Sequence, residues 1–118
     1  MNMSIDQKEL LAKVPTQLLI GGQWRDASSG ETFDVENPAT GATIATLSSA
    51  NSDDAVAALD AACAVQDEWA RTTPRERADI LRRAFELLHE RADEFATLMT
   101  LEMGKPFAES QGEVTYGA

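Results

Sequence analysis

Histidine and cysteine are almost missing from this 118-residue chain: there is one of each, His89 and Cys63. A single cysteine builds no disulfide framework, and the pair cannot supply the clustered nitrogen and sulfur ligands of a transition-metal site. Bases are scarce as well. Ten Lys and Arg face twenty Asp and Glu, for a formal charge of -10. A phosphate backbone needs a basic patch, so nucleic acid is excluded as a partner and anionic lipid is disfavoured. Acidity of this size serves solubility. No run of eighteen apolar residues occurs, so no membrane-spanning helix is expected. The opening MNMSIDQKELLAKVP lacks the basic start and apolar centre of a secretory leader, which leaves the cytoplasm as the expected location. A phosphate-cradling glycine loop is missing too. Gly21-Gly22 lacks the GxGxxG spacing and precedes no helix, and Gly41 sits in turn chemistry. No serine has a His and Asp placed to activate it.

What is present divides into two halves. Residues 1–17 read as a polar arm or short, loosely held helix, and residues 18–118 as one partial domain. Leu18-Leu19-Ile20 and Gln23-Trp24-Arg25 flank Gly21-Gly22, a pair suited to a two-residue hairpin turn that needs positive φ. Thr32–Val35 alternates like a strand. Asn37-Pro38-Ala39-Thr40-Gly41 is a turn, and Thr43–Leu47 is a second β-branched run. Residues of about 18–48 therefore predict three or four short antiparallel strands.

From about residue 52 the period becomes helical. Asn51 or Ser52 caps a helix running to about Trp69, with Val56, Leu59, Ala62 and Cys63 on its apolar stripe. Thr73-Pro74-Arg75-Glu76 combines a capping-box pair with proline in the first helical position. Leu81, Phe85 and Leu88 follow on one stripe, and Ile80, Ala84 and Leu87 widen it, which predicts a helix packed against two neighbours. Asp93 is the expected cap of a shorter helix with Phe95, Leu98 and Met99 buried and Gly104 at its end. Pro106 opens another helix from Phe107. It runs to Ala118 without a cap, so truncation at 118 is the expectation. Strands followed by packed helices make this segment α+β.

Few residues invite chemistry. Cys63 lies on the predicted buried stripe and has no basic residue one turn away, as a reactive thiolate would need. It reads as a small core residue. His89 lies beside the apolar stripe at a helix end and reads as solvated. Glu102 shares a helix face with Phe95, Leu98 and Met99 by i, i+3, i+4, i+7 spacing. A carboxylate on such a face must be paired, protonated or bound to a cation. An ion pair with Lys105 or Arg91, a frayed solvated helix end and a cation ligand all remain open.

The order of these segments resembles a known family. LLIGGQWRDASSGETFDVENPATG, Leu18 to Gly41, is similar to the opening of aldehyde dehydrogenases, where a GxW hairpin is followed by an NPxTG turn. ERADEFATLMTLEMGKP, Glu90 to Pro106, resembles a later segment of the same family. Trp69 and the step from Pro74 to Ala78 also fall where that family has them. Within the family the likeness is greatest to bacterial succinate-semialdehyde dehydrogenases. The resemblance implies an α/β enzyme of which this is the entry part of the cofactor-binding domain. It implies NAD or NADP as cofactor, an aldehyde such as succinic semialdehyde as substrate, and a homo-oligomer. In that family a cysteine thiolate attacks the aldehyde, hydride passes to the nicotinamide, and a glutamate activates water to hydrolyse the thioester. None of those groups maps onto this sequence, and Cys63 does not match the nucleophile, so the chain alone is expected to be inactive. The resemblance also implies a structural sodium or potassium ion held by the carbonyls of Val35 and Glu36 and the acid Glu102. A further ligand lies beyond Ala118 in the family. The competing expectations are a stand-alone helical interaction module and a small binding domain using the acidic surface around Glu102.

Overall fold

The computed structural model describes residues 5–118, so the first four residues of the expected arm lie outside the described residues. Asp6 accepts the amides of Lys8 and Glu9 at 2.9 and 3.2 Å and starts helix α1, Gln7–Lys13. A side-chain acceptor at this position satisfies N–H groups that have no partner inside the helix. Leu10 is buried and α1 rests on a later helix, α4, Ala92–Met103. One apolar anchor thus holds a segment that reads as loose by composition.

Four strands follow as two separate antiparallel hairpins. β1, Leu18–Ile20, pairs with β2, Gln23–Arg25, through the register Leu19↔Trp24. Gly21 and Gly22 have φ of 59° and 76°, the two positive values that a turn matched to strand twist demands. β3, Thr32–Glu36, pairs with β4, Thr43–Ser48, with a register irregularity between Val35 and Glu36. The connecting turn is closed by Asn37. Its side chain accepts the Ala39 amide at 2.9 Å and its carbonyl accepts the Gly41 amide at 2.7 Å. The Ser49 N–H to the Glu31 carbonyl extends this ladder by one step, and the Ser48 N–H to the Thr16 carbonyl joins the hairpin to the segment after α1.

Helix α2, Ser52–Arg71, has Asn51 as its N-cap in a full capping box with Asp54. α3, Pro74–Glu90, begins as its sequence predicts: Glu76 N–H donates to the Thr73 hydroxyl at 3.3 Å, and Thr73 N–H donates to the Glu76 carboxylate at 2.8 Å. α4 starts at Arg91 rather than Asp93, and no side chain caps it. The chain turns there without leaving helical geometry for long, so the expected aspartate cap falls inside the first turn. Gly104 ends α4 with φ of 77°. α5, Phe107–Gly117, opens on Pro106.

The tightest packing is between α4 and α5, where Ala96, Leu101, Ser110 and Val114 are buried. The Thr100 and Ser110 hydroxyls meet at 3.0 Å, and Gln111 donates to Asp93 at 3.0 Å. α2 and α3 are different. The stripe expected to be buried on α2 faces solvent: Val56, Leu59 and Cys63 are exposed. Cys63 is therefore not a core residue. The reason is a rotation of the inner face. α2 turns Asp54 and Ala61 toward the first hairpin: Asp54 meets Arg25, and a Cβ built on Gly21 would stand 3.7 Å from that of Ala61. Small side chains permit that close approach, and the larger ones point away. α3 buries no residue at all, and Leu81 is 69% exposed. The molecule is consequently a plate of 45 × 39 × 20 Å. Its accessible surface is 8833 Å², against about 6,300 Å² for a folded monomer of this mass.

Candidate functional site

The residues expected to hold a cation sit at the junction between the second hairpin and the end of α4. Val35 is half-buried in β3, at the irregular step of the ladder, and Glu36 is the exposed last residue of that strand. The Asn37–Gly41 turn leans on α4. A Cβ built on Gly104 would stand 3.0 Å from the Pro38 ring, so turn and helix end are in direct contact. Pro38 follows Glu36 by two residues and Gly104 follows Glu102 by two, so the strand end with Val35 and Glu36 and the helix end with Glu102 flank this contact.

Glu102 itself is exposed. Phe95, Leu98 and Met99 are half-buried, while the fully buried positions of α4 are Ala96 and Leu101. The helix buries that side, and in its last turn Glu102 and Met103 are exposed while Leu101 is buried. Neither ion pair expected for Glu102 forms. Lys105 pairs with Glu113 on α5, and Arg91 pairs with Glu94 at 2.7 Å. A solvated helix end is what the structure shows for this acid. His89 is likewise exposed, with its ring edge against Phe85 at 4.3 Å between centroids. Among the described residues, no three His, Cys, Asp or Glu side chains converge on one point. A site made of backbone carbonyls and one carboxylate is not of that kind.

The buried charge of the chain lies elsewhere, at Asp54, which is 1% exposed. One of its oxygens accepts from the Arg25 guanidinium at 3.1 Å and from Ser28 N–H at 3.1 Å; the other accepts from Asn51 N–H at 3.1 Å. The Ser28 hydroxyl meets the Asn51 side-chain oxygen at 3.1 Å, closing the ring of contacts. The Asn51 amide, foremost, and the Ser28 amide and hydroxyl hold the carboxyl below its ordinary value of 3.8, overcoming the opposite pull of burial, and Arg25 adds to the effect. Every polar atom is satisfied, so the cluster is a clasp that fixes β2 and the following loop to the start of α2. Sequence reading missed it. The N-x-x-D spacing of Asn51 and Asp54 was a visible capping signal, but Arg25 comes from a distant strand.

The positive-φ glycines serve turns and one helix end: Gly21, Gly22, Gly30, Gly41 and Gly104. None precedes a helix in the way a dinucleotide-binding loop requires. No helix among the described residues is long and apolar enough to cross a membrane.

Comparison with known proteins agrees with the order of these elements. The sequence profile described as Aldehyde dehydrogenase family matches residues 24–118. A succinate-semialdehyde dehydrogenase from Paenarthrobacter nicotinovorans is 69% identical over 75 residues, covering 64% of this chain and 17% of that protein. The Escherichia coli K12 protein named succinate-semialdehyde dehydrogenase (NADP(+)) is 47% identical over 102 residues, 86% of this chain and 21% of its own length. The crystal structure of an E. coli NADP-dependent enzyme superposes with a TM-score of 0.87 at 43% identity, over 95% of this chain and 23% of that one. The chain thus spans about a fifth of the length of the relatives it matches.

Proposed function

Because the chain belongs to the aldehyde dehydrogenase family, we propose that it is the N-terminal portion of an enzyme oxidising an aldehyde to a carboxylic acid with NAD(P)+. Succinic semialdehyde is the proposed substrate. The observation that carries this reading is the 69% identity to a protein named for that aldehyde. The name of the E. coli relative favours NADP+ as the cofactor. In the whole enzyme the cofactor would accept the hydride, and the residues performing the reaction would come from the polypeptide outside this segment. Residues 18–118 would form the first part of the cofactor-binding domain and 1–17 its arm, with a homo-oligomer in the cytoplasm as the working state.

This portion has a scaffolding role in that scheme. The Asp54 clasp fixes the first hairpin to α2. The Pro38–Gly104 contact fixes the second hairpin to α4. We also propose that the Val35 and Glu36 carbonyls and the Glu102 carboxylate hold a sodium or potassium ion in the whole enzyme. Hard oxygen donors suit such an ion, and the turn–helix contact supports their convergence. The reading as a self-sufficient interaction module is less well supported, because it requires Leu81, Phe85 and Leu88 to be buried and α3 buries none of them.

The test has two arms. The longer polypeptide carrying this sequence should reduce NADP+ or NAD+ in the presence of succinic semialdehyde, followed by the absorbance of the reduced nicotinamide. The 118-residue chain should give no protein-dependent turnover. Turnover by the short chain overturns the scaffolding role. A longer enzyme that prefers betaine aldehyde or a simple alkanal overturns the substrate.

A further inference from the structure

We draw no further inference here: the strongest candidate, the apolar outer faces of α2 and α3 that carry Leu59, Trp69, Leu81 and Phe85, is an unpartnered surface, and nothing in the structure shows what covers it.

Discussion

Helix α3 has the more regular amphipathic pattern and the better cap, yet α4 and α5 do the packing. α3 opens with a capping box and a proline in its first turn, and it buries nothing. α4 has no side-chain cap and α5 opens on a proline, and between them they bury Ala96, Leu101, Ser110 and Val114. The difference separates two things that sequence patterns record together. An apolar stripe records that a helix has a partner somewhere. Burial records that the partner is present. A cap is local and needs neither.

The sharpest way to break this comparison is a matched pair of truncations in the 118-residue chain. Leu101 is 6% exposed, and Leu101→Ala should cost about 2–5 kcal/mol, the range for emptying a packed leucine site. Leu81→Ala should change stability by no more than about 0.5 kcal/mol, as expected for a surface position. Urea melts of both variants decide it. Equal losses would mean that α3 is covered in solution, and the contrast between the two regions would collapse.

Gly104→Ala probes the packed side from its edge. A left-handed φ costs an L-residue about 1–2 kcal/mol. The new methyl would also press on Pro38, so the loss should reach at least that range. A loss no larger than the backbone cost of about 1–2 kcal/mol would show that the turn and α4 part freely.

Thr73→Ala tests the bare side, where local structure stands alone. The hydroxyl accepts the Glu76 amide at 3.3 Å, and its removal should cost ~1 kcal/mol. Helicity measured by circular dichroism should fall in α3 while α4 and α5 keep their protection from amide exchange. A loss spread evenly over all helices would show that α3 is coupled to the packed pair after all.

The last test reads the pH dependence of the Asp54 clasp. Its carboxyl is held below 3.8 in the folded chain, so the unfolded chain binds its proton first as pH falls. The stabilisation is therefore complete above that value and is lost as pH drops through the lower, folded value. Asp54→Asn should be less stable than wild type by a constant margin from pH 7 to 5, and the margin should shrink below about pH 3.8. A margin that already narrows near pH 6 would assign the titration to a different group.

How much of this was legible follows from how far each signal reaches. The Gly21-Gly22 hairpin, the Asn37–Gly41 turn and the Thr73–Glu76 cap are legible in the sequence, since each is settled within a few residues of chain. Cys63 was misplaced because the helical period identifies an apolar stripe but not the neighbour it meets. Here it is Ala61 that lies against the hairpin, at Gly21. Asp54 went unnoticed because its burial depends on Arg25 and Ser28, brought up by a strand and a loop. Glu102 was placed on a buried face by spacing alone, but α5 grips α4 nearer Ala96 and Leu101. The cation expected at Val35, Glu36 and Glu102 rests on family likeness together with the contact between turn and helix.

That contact between Pro38 and Gly104 joins parts of the chain that lie far apart in sequence, with one strand and three helices between them. The two hairpins close locally, whereas this seam must overcome the entropy of a long loop and depends on α2, α3 and α4 being in place. An ion held across it would have no site in a half-formed chain. It would bind the finished fold alone and raise its population by mass action, gaining about 2.7 kcal/mol of stability at a concentration a hundred times its dissociation constant. If the proposed ion is held there, added sodium or potassium salt would raise the melting temperature of the whole enzyme.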